Sequence, residues 1–176
     1  MANSQKAMDQ AVKAIEEKEG KYLTFTLADE EYGIGILKIK EIIGMMPITV
    51  VPQTPVFVKG VINLRGKVIP VIDLRLRFGM ETIEYTDRTC IIVVEVDGET
   101  GNMMIGIVVD TVSEVLNIRK QDIEDTPRFG TKLDTNYILG MAKTEKTEKT
   151  EGDVKILLDI DRVLRSEEIA MLEKPA

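Results

Sequence analysis

Acidic side chains come nearest to a catalytic arrangement in this chain. Asp159 and Asp161 flank Ile160, which would set both carboxylates on one side of an extended segment. Asp122, Glu124 and Asp125 form a second group. Paired carboxylates cleave glycosidic bonds or hold a divalent cation when they converge in a cleft. No calcium-loop spacing, glycine-rich phosphate loop or phosphate-binding lysine accompanies them. Solvated turns and helix N-termini account for these acids without any chemistry. Histidine is absent from all 176 residues. That removes the commonest general base, the commonest metal ligand and every Ser-His or Cys-His nucleophile pair. No catalytic residue, metal site or cofactor is predicted from these residues, while an enzyme working through carboxylates or lysine stays open but disfavoured.

Asn63 and Arg65 ask for a different chemistry. They stand in Gly60–Gly79, GVINLRGKVIPVIDLRLRFG, where two β-branched runs meet at Arg65-Gly66 and so predict a hairpin. The first arm is nearly apolar throughout, so both its faces are expected to be covered. Burial would not ask for an amide and a guanidinium at such a turn. A polar pair presented by a stiff hairpin suits contact with a partner. A buried, unpaired arginine is costly, so Arg65 should find a carboxylate. Glu41 is the expected partner, at the edge of a groove.

The elements that must position these residues are short strands. Tyr22 to Leu27 alternates as a half-buried strand, followed by the polar turn Ala28-Asp29-Glu30-Glu31. Leu37 to Ile43 fits a strand or a short helix equally. Cys90–Val96 and Met103–Val109 flank Asp97-Gly98-Glu99, an Asp-Gly hairpin signal. Tyr137–Met141 and Val154–Leu158 flank the tract KTEKTEKTE, a solvated loop over 143–151. Ser166-Glu167-Glu168 begins a short C-terminal helix carrying Ile169, Met171 and Leu172. Met45-Met46 reads as core filler or as an adaptable surface. Pro52-Gln53-Thr54-Pro55 reads as a stiff connector.

A repeat organises these pieces. EYGIGILKIKEI (31–42) is echoed by MIGIVVDTVSEV (104–115), and Gly33 to Gly106 and Glu41 to Glu114 are both 73 residues apart. VIPVIDL (68–74) is echoed by VKILLDI (154–160), with Asp73 against Asp159 and Gly60 loosely against Gly140. The chain is therefore expected to be a duplicated small β-unit.

Composition narrows the function classes. Apolar residues make up 44% and charged residues 30%, as in ordinary globular proteins. Apolar runs fall far short of the roughly 20 residues that cross a bilayer, and a cytoplasmic protein is expected. Cys90, the single cysteine, is expected to be a small buried thiol. Net charge −7, with 5% aromatic residues and no Trp, disfavours nucleic-acid binding.

With those residues in hand, the chain resembles the CheW family, the coupling proteins of bacterial chemotaxis. The resemblance runs from about Tyr22 to Leu172. Its most specific pieces are EEYGIGILKIKEI (30–42), ITVVPQTPVFVKGVINLRGKVIPVIDLRLRFG (48–79) and GIVVDTVSEV (106–115). It implies a mainly β fold of two similar SH3-like five-stranded β-barrels packed over a shared core, with short helices including one at the C-terminus. The expected organisation is a leader over 1–20, one domain over 21–160 and a C-terminal helix and tail over 161–176. Within the domain, the first half would span about 32–90 and the second about 21–31 plus 91–160. The resemblance also implies a non-enzymatic adaptor that bridges the cytoplasmic tips of chemoreceptors to the histidine kinase CheA, recruited to membrane-bound arrays. Carried over by motif, a receptor-binding groove would use Ile36, Ile39, Glu41, Gly60, Asn63, Arg65, Gly66, Cys90 and Val109, and kinase binding would use Ile42 and Ile43. Two departures stand out: the lengthened KTE loop, and Gly35 where a larger, often polar residue is common. A detached kinase regulatory domain of the same fold is a rival, opposed by the lack of an ATP-binding or phosphoacceptor-histidine motif and by the start at Met1 with a short leader. An oligonucleotide-binding barrel and a carboxylate hydrolase are the others.

Overall fold

The computed structural model describes residues 18–98, 101–126, 136–144 and 152–165. Most of the leader, the body of the KTE tract and the helix expected from Ser166 lie outside these residues. Eleven strands are described: β1 Gly20–Leu27, β2 Glu30–Gly35, β3 Ile39–Gly44, β4 Val58–Leu64, β5 Lys67–Asp73, β6 Cys90–Gly98, β7 Gly101–Val109, β8 Thr111–Ile118, β9 Ile123–Glu124, β10 Ile138–Lys143 and β11 Val154–Leu158. Two four-residue helices, α1 (Leu74–Arg77) and α2 (Ile160–Val163), follow β5 and β11. The ambiguous stretch 37–43 divides into a 3-10 turn over Ile36–Lys38 and the strand β3. No helix among the described residues is long and apolar enough to cross a membrane.

The strands form two sheets, ordered β8-β1-β2-β11-β10-β9 and β3-β6-β7-β5-β4. Their plans coincide strand for strand. Each has one parallel pair, β2 with β11 and β7 with β5, and is otherwise antiparallel. Two-residue β9 gives the first sheet its sixth strand. The second sheet has a single bridge, Thr49 to Val61, in that place.

The repeat and the sheets divide the chain differently. Hairpin β1–β2 of the first repeat lies between β8 and β11 of the second, and hairpin β6–β7 of the second lies between β3 and β5 of the first. Only Asp110 separates β7 from β8, too little chain for a hairpin turn, so the backbone runs straight from one sheet into the other. The 3-10 turn Ile36–Lys38 carries β2 into β3 in the same way. One sheet therefore draws on 20–35 and 111–158 and the other on 39–109. The chain changes sheet at Ile36–Lys38 and at Asp110, while the halves were expected to divide near 32 and 90.

A shared core lies between the sheets. Leu23, Phe25, Leu27 and Ile34 from one side meet Ile72, Ile92, Ile105 and Ile107 from the other, all at most 2% exposed. The opposite sheet faces hold satellite clusters: Ile62, Ile69, Val71, Ile91, Val93 and Val108 in one, and Tyr22, Ile118, Ala142 and Leu157 in the other. Strand β1 is thus covered on both faces, contrary to its alternating pattern. Its buried Thr24 survives because Oγ1 donates to the Glu114 carbonyl at 2.9 Å and accepts from the Glu114 N–H at 3.2 Å. Strand β4, expected to be covered on both faces, instead lies at a sheet edge. Val58 and Ile62 are buried, Val61 is half-buried and Asn63 is exposed.

Candidate functional site

The β4–β5 turn is two residues long, with Leu64 opposite Lys67 and positive φ at Arg65 (50°) and Gly66 (88°). That is the type I′ geometry whose twist matches a hairpin. Arginine in this region is disfavoured by about 1–2 kcal/mol. A side-chain bond offsets part of that cost, since Asn63 Oδ1 accepts the Gly66 N–H at 2.9 Å. Asn63 therefore braces the turn that aims Arg65.

Arg65 finds the expected partner. Its Nη1 donates to Glu41 Oε1 at 2.9 Å, and its Nη2 donates to Oε2. The fork is bidentate, the strongest form of such a pair. Strand β3, which carries Glu41, and the β4–β5 tip belong to opposite ends of the sheet order. A flat sheet would hold those edges about 19 Å apart at ~4.8 Å per strand. The pair therefore records how far this sheet curls. Thr49, five residues beyond β3, reinforces the curl by accepting the Val61 N–H at 2.9 Å and donating to its carbonyl at 2.8 Å. The pair stands at an edge: the Arg65 side chain is 71% exposed and that of Glu41 30%. The Arg65 hydrogen bond holds the Glu41 carboxyl below the usual range, and Glu41 in turn pushes Arg65 up.

Gly60 has a backbone task beneath this tip. Its φ is +144°, and a Cβ there would lie 2.1 Å from the Thr49 carbonyl oxygen. Cys90 stands opposite both Gly44 and Val109 across β3, β6 and β7. Its thiol is half-buried, with Sγ 3.2 Å from the Arg88 carbonyl oxygen. Val109 is 1% exposed and belongs to the shared core, so it shapes the surface from below. Ile36 and Ile39 sit at either end of the 3-10 turn, half-buried against the same core. Along β3 the burial alternates: Ile42 is 43% exposed, while Ile43 packs on a satellite cluster with Met45 and Met46.

Several placements were not legible beforehand. Leu37 is 94% exposed between Ile36 and Lys38. With Ile36, Tyr22, Leu139, Leu158 and Ile160 it lines a cavity of about 320 Å³. Asp110 receives Nε and Nη2 of Arg75 at 2.7 and 2.6 Å and the Ala28 N–H at 2.9 Å, steadying a turn in which Ala28 and Asp29 both have positive φ. The candidate catalytic acids are occupied in structure. Asp159 caps α2, and Asp161 pairs with Lys38 at 2.6 Å and accepts the Asp97 N–H at 3.0 Å. Asp122 pairs with Arg119, Glu124 with Lys143 and Asp125 with Lys18.

Known proteins share this architecture and sequence. The CheW-like domain model matches residues 21–168. The chemotaxis protein CheW of Klebsiella aerogenes is 41% identical over 155 residues, covering 88% of this chain and 87% of the relative. That of Rhizobium meliloti is 34% identical over 161 residues, covering 92% and 97%. The crystal structure of the scaffolding protein CheW from Thermoanaerobacter tengcongensis superposes with a TM-score of 0.73 at 36% identity, covering 88% of this chain and 98% of that one. With the NLRG hairpin, the repeat and both sheets in agreement, the chain belongs to the CheW family of chemotaxis scaffolding proteins.

Proposed function

We propose that this protein is a non-enzymatic coupler that bridges the cytoplasmic tips of chemoreceptors to the histidine kinase CheA, recruited for that purpose to membrane-bound receptor arrays. The observation that carries this reading is the Arg65–Glu41 fork. It is bidentate and mounted on a braced turn, with the Arg65 side chain largely exposed rather than held in the core. An exposed pair adds only about 0–1 kcal/mol to stability, so its value lies in contact. A guanidinium already held in place loses little freedom when a partner binds.

In this reading the receptor helix docks along Ile36, Ile39, Glu41, Asn63, Arg65, Gly66 and Cys90 in helix-in-groove fashion. Gly60 and Val109 hold that surface from beneath. The kinase takes the other side of β3 through Ile42, with Ile43 supporting it. Each contact can be weak, because neighbours in an array raise the effective concentration of the next. Control requires that receptor and kinase both bias how this bridge is arranged.

Co-sedimentation tests the proposal. The protein, a receptor cytoplasmic fragment on vesicles and CheA are combined, and kinase activity is read in the pellet. Kinase should pellet and become active only when the protein is present. Failure to bind either partner would leave the family resemblance as a statement about fold.

A further inference from the structure

Where α1 and α2 end, the structure holds a cavity of about 580 Å³ whose described lining includes Arg77, Phe78, Tyr137, Arg162 and Arg165. Three guanidinium groups on one cavity are unexpected in a chain of net charge −7. Internal bonds use only part of them. Arg77 donates Nε to the Val163 carbonyl at 2.9 Å and lies over the Phe57 ring, 4.9 Å from its centroid, while its Nη groups have no partner among the described residues. Arg162 donates to the Asn136 carbonyl at 3.0 Å and lies 3.4 Å from Asp159. The exposed Arg165 side chain has no partner among the described residues. Cations near helix C-termini complement the macrodipole, but four-residue helices make little of one.

The other half of the wall is aromatic. Phe25, Tyr32, Phe78 and Tyr137 stack in file, with centroids 5.9, 6.0 and 5.3 Å apart, and the last two rings reach the cavity. Arginine forks match phosphate oxygens, and aromatic faces take a planar base. The volume falls within the range of about 300–1,000 Å³ that small-molecule sites occupy. We propose that this cavity binds a nucleotide, its phosphates on Arg77 and Arg165 and its base against Tyr137. Inorganic phosphate would leave the rings unused. An acidic protein segment would satisfy the arginines without needing a concave aromatic wall.

Calorimetric titration of the full-length protein with ADP, adenosine, inorganic phosphate and a polyglutamate peptide tests this. ADP should bind saturably and more weakly in high salt, with adenosine and phosphate each at least about tenfold weaker. Arg165→Glu, at an exposed position, should weaken ADP at least about tenfold without moving the melting temperature. Tyr137→Leu should weaken ADP while leaving phosphate unchanged, and co-sedimentation with receptor and kinase should survive Arg165→Glu. No saturable ADP binding at millimolar concentration overturns the proposal, as does ADP binding indifferent to Arg165→Glu. Phosphate binding as tightly as ADP would reduce the site to an anion trap, and binding of polyglutamate alone would make it a protein contact.

Discussion

The β4–β5 end of one sheet and the β10–β11 end of the other follow one plan and present different chemistry. In each, a glycine lets a neighbouring backbone segment pass close by: Gly60 under the Thr49 carbonyl and Gly140 under that of Glu124. In each, an aspartate caps the helix that follows and ties its own N–H to a carbonyl across the sheet at 2.8 Å, Asp73 to Phe57 and Asp159 to Tyr137. The ends diverge at the tip. Strands β4 and β5 close through the tight turn Arg65-Gly66, while β10 and β11 are joined through the KTE tract. What the halves share is what the backbone requires. What differs is what a partner would meet, and among the described residues the stiff polar tip is that of β4 and β5.

The two crossings between sheets make the same point with charge. At one, the acid is on the crossing segment and the cation on the helix, Asp110 with Arg75. At the other the polarity is reversed, Lys38 with Asp161. Both carboxylates also accept a backbone N–H from the end of a hairpin, Ala28 or Asp97. The position of the clamp is thus duplicated and its chemistry is not.

The largest expected effect separates the two glycines. Gly60→Ala combines a positive φ with a 2.1 Å approach to backbone and should cost about 3–5 kcal/mol. Gly140→Ala meets Glu124 O at 2.9 Å without the strained φ and should cost about 1–3 kcal/mol. Denaturant melts of both variants decide it, and equal losses would remove the distinction.

The helix caps come next. Asp73 is 2% exposed and also accepts the Tyr85 hydroxyl at 2.8 Å, so Asp73→Ala should cost about 2–4 kcal/mol by losing a cap and orphaning a donor. Asp159→Ala loses a cap and a largely exposed ion pair with Arg162 that adds little, about 1 kcal/mol in all. Burial, then the bond to Asp73, pushes the Tyr85 hydroxyl well above its ordinary value. Absorbance titration should show Tyr85 silent until the protein unfolds, and Asp73→Ala should make it titrate earlier.

At the crossings, Asp110→Asn should cost about 1–3 kcal/mol at neutral pH, because charge-assisted bonds are lost from side chains 14% and 18% exposed. Lys38→Ala, at a wetter pair, should cost under about 1 kcal/mol. Burial raises the Asp110 carboxyl, but the Arg75 and Ala28 bonds outweigh it and hold the group below its ordinary value. Its stabilisation is therefore complete above about pH 4 and fades as pH falls through the depressed value. Wild type and Asp110→Asn should converge in stability under acid, and a gap that persists there would assign the effect to packing.

The smallest change in stability belongs to the tip. Arg65→Ala and Glu41→Ala should each shift stability by less than about 1 kcal/mol yet abolish kinase recruitment in the co-sedimentation assay. Lys143→Ala, at the matching end of β10, should leave recruitment intact. Parallel loss of melting temperature and recruitment in Arg65→Ala would make Arg65 a structural residue.

Much of this was legible because it is local. Arg65-Gly66 between β-branched runs implied a hairpin, and the structure closes it in two residues. The echo of Gly33 in Gly106 reflects a shared need, since a Cβ at either would press on a neighbouring apolar side chain at 3.0 or 2.8 Å. The Arg65–Glu41 pairing followed from the cost of an unmatched charge. The curl that brings the two strands together did not, because no local pattern states how far a sheet bends. Leu37 gave no warning either, since an apolar residue beside a crossing looks like core.

Composition, turn chemistry and repeat spacing are written within a dozen residues at a time. By themselves they determined a duplicated β protein without histidine, and the motifs of its family. Tertiary structure alone decided that each hairpin crosses into the other repeat's sheet, that Glu41 and Arg65 meet across opposite edges, and that reversed ion pairs hold both crossings. The physical reason is that a strand's alternating pattern states which face is buried and never names its neighbour. The neighbour is chosen by links as short as Asp110, which forbid the chain to turn back, and by backbone ladders that only the assembled sheets complete.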